Sequence, residues 1–171
     1  GGQTQFIVGN IAAAGALLGP VRLRALAVTS KQRAPQLPHV PAAIGAGVRS
    51  FVLVGAPFVP AEEAALWAER STAWALAHGV EHISLIPVRG DSEALRRLAA
   101  AGDFTPPTPA IVEDAFDRCL ALAGDGVVTL DTWDLDRLLS CRECSDARRA
   151  RLERMNRNGL NEARVACEAC S

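Results

Sequence analysis

The chain has 171 residues, of which 49% are hydrophobic, and 18 Lys and Arg stand against 19 Asp and Glu. This length and composition predict a folded domain with a sizeable core and argue against a disordered chain. The near-zero net charge argues against a general polyanion binder, because nucleic-acid-binding domains are usually strongly basic. No apolar run approaches the roughly 18 residues of a membrane-spanning helix, so no membrane association is expected.

Charge is unevenly distributed along the chain. The first carboxylate is Glu62, and residues 1–61 carry five Lys or Arg and no acidic residue. The early part of this stretch is rich in Gly, Ala and Pro, which predicts irregular structure. We therefore expect an irregular segment at residues 1–48, an α/β region at 49–140 and a tail at 141–171.

From residue 49 onward, strand patterns alternate with helix patterns. Continuous apolar runs predict buried strands at 49–57, 82–88 and 127–131. Capping signals predict one helix after Pro60, a second from Ser92 to Ala101 and a third that opens at Thr108-Pro109 and ends before Gly124. The order β-α-β-α-α-β favours parallel pairing with right-handed crossovers. The predicted fold class is α/β, with an incomplete (βα) barrel-like parallel sheet.

Two helices carry apolar stripes that are expected to face the core. In the first helix the stripe consists of Leu66, Trp67, Ala73, Trp74 and Ala77. In the third it consists of Val112, Phe116, Cys119 and Leu120. Cys119 is therefore predicted to be a buried, unreactive thiol. His78 and His82 flank a Gly-Val-Glu turn and are expected to face solvent.

The most specific motif is a pair of CxxC sequences, formed by Cys141 with Cys144 and Cys167 with Cys170. Two such pairs converge naturally on one tetrahedral ion, so the tail is predicted to be a metal site. A closed structural zinc site is the leading interpretation. An auxiliary iron-sulfur cluster, or thiols paired in disulfides or left unligated, remain as alternatives, because spacing alone does not separate them.

The tail is also rich in arginine, with seven Arg against five acidic residues at 141–171. These cations can offset the charge of four metal-bound thiolates, or they can contact phosphates in a zinc-stabilised RNA-binding module, for example one that binds tRNA. No aromatic residue follows Trp133, so the stacking groups typical of RNA recognition are missing from the tail. A solvated, charge-laced helix is the favoured interpretation.

Loops after the carboxyl ends of parallel strands form the working face of α/β folds. This position nominates Gly55, Arg89, Gly90 and Asp131 as residues that bind a small-molecule substrate or cofactor. Arg89 directly follows a strand and could bind a carboxylate or phosphate, or form an ordinary ion pair. Asp131 and Asp134 could transfer protons, or serve as ordinary strand-end and helix-cap residues. No catalytic residue is identified.

Several whole segments resemble the C-terminal half of a group of radical S-adenosylmethionine proteins. They are FVLVGAPFVP, RSTAWALAHGVEHISLIPVRGDSEALRRLAAAGDFTPPT, VVTLDTWDLDRLLSCRECSDARRARLERMNRNGL and the final CEAC. The resemblance covers about residues 49–171 and implies the last strands of a partial (βα) barrel followed by a metal-bound tail. It also implies S-adenosylmethionine and a [4Fe-4S] cluster as cofactors. The C-x3-C-x2-C motif that holds this cluster is absent from the sequence, so the chain is expected to be a fragment that is inactive alone.

Residues 1 to about 47 are similar to solute receptors of tripartite tricarboxylate transporters, and the stretch VRLRALAVTSKQRAPQLPHVPAAIGAG carries this resemblance. This resemblance implies, as an alternative, a remnant of a protein that binds small carboxylates. Five cysteines, four of them in CxxC pairs, suit metal ligation in a reducing compartment better than a secreted disulfide framework. A cytoplasmic location is therefore expected.

Overall fold

The computed structural model describes residues 48–170, which belong to one compact unit, Gly47–Ser171. Its strands are β1 (Arg49–Val54), β2 (His82–Pro87) and β3 (Val127–Leu130). Its α-helices are α1 (Ala64–Ala77), α2 (Glu93–Ala101), α3 (Pro109–Ala121), α4 (Leu135–Leu138) and α5 (Ser145–Asn158). Short 3-10 turns occur at Ala61–Glu63 and Glu168–Cys170. Except for Val48, the irregular segment predicted at 1–48 lies outside the described residues.

The three strands form one parallel sheet in the order β1-β2-β3. Val52 is registered with Leu85, and Leu85 with Leu130, so these side chains share one face of the sheet. The predicted parallel α/β sheet is confirmed. Within the described residues the sheet has three strands, and a barrel is not shown.

Capping side chains set the helix boundaries where the sequence predicts them. The Ser92 hydroxyl accepts a hydrogen bond from the Leu95 N–H at the start of α2, and Gly102 ends that helix in the left-handed conformation. Thr108 caps α3 in the same way, through the N–H of Ile111, and Pro109 occupies the first turn. These caps fix where α2 and α3 begin, and hence the loops that precede them.

The predicted apolar stripe of α1 is wrong. The helix buries its small side chains instead, namely Ala64, Ala65, Ala68, Thr72 and Ala75, while Trp67 and Trp74 are 47% and 66% exposed. Small side chains let α1 approach the sheet and α3 closely, and the Thr72 hydroxyl lies 3.4 Å from Cys119 Sγ. Residue size therefore overrides hydrophobicity in choosing the buried face of this helix.

The core lies on the face of the sheet that the helices cover. It contains Val54, Ile83 and Leu85 from the strands, Phe116 and Cys119 from α3, and Leu152 and Met155 from α5, all fully buried. Cys119 is thus confirmed as a core thiol. Because α5 contributes two of these residues, the tail is anchored to the same core as the sheet.

The opposite face of the sheet carries a row of polar side chains. Arg49 donates a hydrogen bond to Ser84, which lies 3.1 Å from the Thr129 hydroxyl. His82 Nε2 lies 3.0 Å from the same hydroxyl, so His82 is half-buried rather than facing solvent. Burial, together with the positive charge of Arg49, lowers the pKa of His82. His78 is exposed, as expected, and stacks on Trp74.

Helix α5 also covers part of the free edge of β3. The Asn156 side chain accepts a hydrogen bond from the Leu130 N–H and donates one to the Leu130 carbonyl, both at 2.8 Å. A side-chain amide thus takes the place of a neighbouring strand at this residue. This contact fixes α5, and with it the first cysteine pair, relative to the sheet.

Candidate metal centre

The first CxxC pair lies in the turn between α4 and α5. Helix α4 is short, and Leu139, just after it, is buried. The Cys141 carbonyl then accepts a hydrogen bond from the Ser145 N–H at 3.1 Å, and the Ser145 hydroxyl donates to the carbonyls of Leu139 and Cys141. Cys144 immediately precedes α5. The chain therefore bends tightly around the first two thiols and holds them together.

The second pair is delivered by the segment that follows α5. Gly159 ends the helix in the left-handed conformation, and the chain continues without regular structure as far as Glu168. Arg151, which is 1% exposed, donates hydrogen bonds to the carbonyls of Glu162 and Ala163. The last turn is closed by a bond from the Cys170 N–H to the Cys167 carbonyl. Backbone carbonyls of the segment are thus held by a buried cation on α5.

The four sulfur atoms meet at one point, all within 4.8 Å of one another. Cys141 Sγ lies 3.9 Å from Cys167 Sγ, and Cys144 Sγ lies 3.7 Å from Cys170 Sγ. An ion bound at about 2.3 Å by four sulfurs requires sulfur–sulfur distances of about 3.8 Å. Disulfides would need sulfurs about 2 Å apart, and none of the four cysteines is in a disulfide. The arrangement therefore fits a metal ion.

The thiols of this group have unequal acidities. A hydrogen bond from the Glu143 backbone N–H, followed by bonds from the Cys170 thiol and the Cys144 N–H, lowers the pKa of Cys141 to about 6. Burial raises the pKa of Cys144. Hydrogen bonding to Cys141 and Cys144 raises the pKa of Cys170 to about 12. These shifts arise mainly from hydrogen bonds within the group and from burial, and a metal ion bound by all four sulfurs would displace their protons.

A chain of charged groups leads from the thiols into the protein. Arg148 Nε donates to Cys144 Sγ at 3.2 Å, and its Nη1 pairs with the Glu113 carboxylate. Glu113 is 2% exposed, and its Oε1 lies 3.7 Å from Arg151 Nη1. Burial raises the pKa of Glu113, against the lowering effect of the two arginines. Four thiolates on a divalent ion carry a net charge of −2, which Arg148 partly offsets where it touches the sulfur.

Sequence reasoning missed the role of Glu113. A single acid between Val112 and Asp114 resembles the other acids of α3, and nothing in the sequence marks it as buried. Its position next to Val112, on the apolar stripe of the helix, is the one available signal. A carboxylate on a buried face needs a cation opposite it, and α5 supplies two.

Of the four residues predicted to bind a small molecule, three line one cavity. Arg89, Gly90 and Asp131 surround a space of about 340 Å³ at the carboxyl ends of β2 and β3. Arg89 Nη2 binds Asp131 Oδ2 at 3.1 Å, so the ion pair considered from the sequence is present. Asp134 also lines the cavity, with a left-handed φ of 58° and no side-chain cap on α4. Ligand binding by these residues stays a prediction.

Gly55 does not line that cavity. Its φ is 73°, and a Cβ atom there would lie 2.9 Å from the Pro107 ring. Both the left-handed backbone and the close proline require a residue without a side chain. The structure therefore gives Gly55 a conformational role at the end of β1, and contact with a ligand at this position remains untested.

Within residues 48–170, none of the helices is long and apolar enough to cross a membrane. The expected cytoplasmic location stays a prediction.

Comparisons of the chain with protein-family models, with curated proteins and with solved structures found no match. The chemistry of the site therefore has to be argued from its own residues.

Proposed function

We propose that Cys141, Cys144, Cys167 and Cys170 bind one zinc ion in a closed structural site. The observation that carries this proposal is the clustering of all four sulfurs within 4.8 Å. Thiolates are preferred ligands of zinc, and four of them complete its tetrahedral shell. A complete shell leaves no position for a substrate, so the bound ion would stabilise structure rather than take part in catalysis.

Sulfur spacing favours a single ion over an iron-sulfur cluster. In a [4Fe-4S] cluster each thiolate binds a different iron, so the sulfurs lie farther apart than around one ion. The 3.7 and 3.9 Å separations match the tetrahedral edge of a mononuclear site. These distances favour zinc over the cluster alternative.

The proposed ion would fasten the end of the chain to the α/β unit. Cys144 precedes α5, whose Leu152 and Met155 are fully buried in the core. Cys167 and Cys170 belong to a segment that contributes no buried apolar side chain. A metal ion shared between the two pairs would therefore supply stabilisation that burial does not.

We further propose that residues 49–171 are related to the C-terminal part of radical S-adenosylmethionine proteins. Support comes from the resemblance of whole segments, together with the parallel β-α order and the four-cysteine tail. The C-x3-C-x2-C motif does not occur in the 171 residues. Reductive cleavage of S-adenosylmethionine is therefore not assigned to this chain on its own.

The RNA-binding alternative has less support than the structural zinc site. Five of the seven tail arginines are already paired with carboxylates, as seen for Arg148, Arg149, Arg151, Arg154 and Arg164. Because these carboxylates already balance the arginine charge, the tail offers little excess positive charge to a phosphate backbone. The carboxylate-receptor alternative rests on residues 1 to about 47, which lie outside the described part of the chain.

Metal analysis tests the zinc proposal. Protein purified without added metal is expected to contain one zinc ion per chain, and Cys170→Ser is expected to lose most of it. Cys119→Ala is the matched control, because it removes a cysteine outside the cluster and should keep the zinc. A brown product that contains iron and sulfide would contradict the assignment.

A separate assay tests the kinship. Incubation of the reconstituted chain with S-adenosylmethionine and a reductant should yield no 5′-deoxyadenosine, because the cluster motif is missing. Formation of this product, abolished by Cys141→Ser, would assign the radical chemistry to the tail cysteines.

A gel shift with tRNA at physiological salt should likewise be negative. Binding that weakens steeply with salt would revive the RNA-binding alternative.

A further inference from the structure

The cavity at the carboxyl edge of the sheet has the dimensions of a small-molecule site. Its volume is about 340 Å³, and it is lined by the loop after β2, the loop after β3 with α4, and the prolines around the start of α3. Ligand pockets in proteins start at about 300 Å³, and in parallel α/β sheets they lie outside the carboxyl ends of the strands. Size and position therefore both fit a compact ligand.

Most of the wall is apolar and rigid. Pro106, Pro107, Pro109 and Trp133 all belong to the lining, and Trp133 is 75% exposed. Proline rings and an indole lose little freedom when a ligand binds, because they have few rotatable bonds. Such walls fit a flat apolar group.

A guanidinium group is held firmly at this wall. Arg89 Nη2 donates to Asp131 Oδ2 and to the Trp133 carbonyl, and its guanidinium carbon lies 5.8 Å from the centre of the Trp133 ring. Both Asp131 oxygens are occupied, since Oδ1 accepts from the Trp133 N–H at 2.9 Å. Among residues 48–170, no group accepts a hydrogen bond from Arg89 Nε or Nη1. Arg89 is thus oriented by its neighbours while part of its hydrogen-bonding capacity is unused.

A second arginine of the lining is easily redirected. Arg137 pairs with Asp91, and the two side chains are 64% and 58% exposed. Exposed pairs of this kind contribute little stability, so a ligand oxygen can compete for Arg137 at low cost. Within the described residues, Asp134 supplies the one lining carboxylate that has no hydrogen-bond partner, and it is exposed. The lining thus carries three aspartates and two arginines, and the N–H groups of Arg89 and Arg137 are the donors that a ligand oxygen could use.

We propose that this cavity binds a small organic carboxylate with a flat apolar body, whose carboxylate is held by Arg89 and Arg137 and whose body lies between the prolines and Trp133. The site is distinct from the four-cysteine cluster, and the proposal does not depend on which metal the cluster holds. A carboxylate fits this role because its planar group matches the guanidinium fork, which can bind it through two parallel hydrogen bonds.

Three probes of nearly equal shape and different charge test the proposal: benzoate, benzyl alcohol and benzamidinium. Titration of the isotopically labelled, metal-loaded chain is monitored by NMR at the three Trp indole N–H signals. Benzoate is expected to shift the Trp133 signal, with a Kd of about 1 mM for so small a ligand. Trp67 and Trp74, on α1 and outside the cavity lining, serve as internal controls. Benzyl alcohol should bind at least tenfold more weakly.

Two substitutions of the same kind separate the site from general charge effects. Arg89→Gln should weaken benzoate binding at least tenfold, whereas Arg97→Gln, which removes an exposed arginine of α2 outside the cavity, should leave it unchanged. Equal zinc content and melting temperature in the two variants would show that both are folded. Arg137→Gln provides a second variant if Arg89→Gln fails to fold, with an expected loss of severalfold. Tighter binding of benzamidinium than of benzoate, equal losses in all variants, or no shift at Trp133 would overturn the proposal.

Discussion

Different interactions stabilise the sheet region and the tail of this chain. Residues 49–130 form a layer in which strands and helices bury a continuous apolar core. In residues 141–170 the buried apolar side chains are Cys144, Leu152 and Met155, whereas most of the ion pairs among the described residues involve an arginine of this region. The tail therefore relies on charge and on sulfur where the sheet relies on burial.

The difference shows what a segment needs when it contributes only a few apolar side chains to the core. Burial stabilises the sheet without directional partners, at about 25 cal/mol per Å² of apolar area. Charged groups stabilise only when their partners are in place, because an unpartnered buried charge is costly. Removal of a single partner should therefore affect the tail strongly, and the following predictions test this in order of decreasing effect.

Metal removal should have the largest effect. Chelation of the bound ion, or Cys170→Ser, is expected to lower the free energy of unfolding by about 5 kcal/mol, because metal binding to the folded site is part of the folding energy. Urea unfolding of metal-loaded and chelated protein measures this difference. Chelated Cys170→Ser should be no less stable than chelated wild type.

The opposite result would contradict the proposed difference between the sheet region and the tail. If chelation left the unfolding midpoint unchanged while metal analysis showed that the ion had been lost, the tail would owe its position to burial and ion pairs alone. A comparison of amide hydrogen exchange in residues 160–170 with that in β2 would show which region the metal ion stabilises.

Arg151→Met should have the next largest effect, about 3–5 kcal/mol. The substitution keeps an apolar side chain but leaves Glu113 buried next to Arg148 alone and frees the carbonyls of Glu162 and Ala163. Arg154→Met is the matched control, since Arg154 is 46% exposed and its solvent-screened pair with Glu162 contributes little stability. Equal losses in the two variants would show that burial of the charge is irrelevant.

Asn156→Ala should cost about 1–2 kcal/mol, because it removes both hydrogen bonds to Leu130 at the free edge of β3. Asn158→Ala, on the exposed end of the same helix, should change stability by less than about 0.5 kcal/mol. Chemical denaturation gives both values. A neutral Asn156→Ala would mean that α5 is held to the sheet by its apolar contacts alone.

An effect no larger than that of Asn156→Ala is expected at Cys119, in the sheet region. Burial, partly offset by a hydrogen bond from Thr72, raises the pKa of this thiol from 9.0 to about 11. Because the folded pKa lies above the unfolded one, the stabilisation is fully present below about pH 9 and is lost as the pH rises through about 11. Between pH 8 and 10.5, wild type should lose about 1–2 kcal/mol more than Cys119→Ala does. Parallel pH dependences would place the thiol in a polar environment.

Sequence reasoning predicted the features that depend on local rules. Ser92, Gly102 and Thr108 act where capping rules place them, and the β-α order yields the parallel sheet. The four tail cysteines come together because each CxxC pair needs only a tight turn and a common partner.

Features that depend on distant contacts were not predicted. The buried face of α1 is decided by how closely α3 approaches, so the small residues face inward and Trp67 and Trp74 face outward. The roles of Glu113 and Asn156 depend on α5, which lies far along the chain. The sequence around each of these two side chains resembles that around a solvent-exposed one. Each finds its partner only when α5 packs against the rest of the protein.

X-ray absorption at the metal edge of the purified chain tests the central claim most directly. The four-cysteine arrangement predicts a single zinc ion surrounded by four sulfurs at about 2.3 Å, with no second metal nearby. Cys119→Ala should give the same spectrum. An iron–iron distance, a shell that contains nitrogen or oxygen ligands, or protein without bound metal would contradict the account.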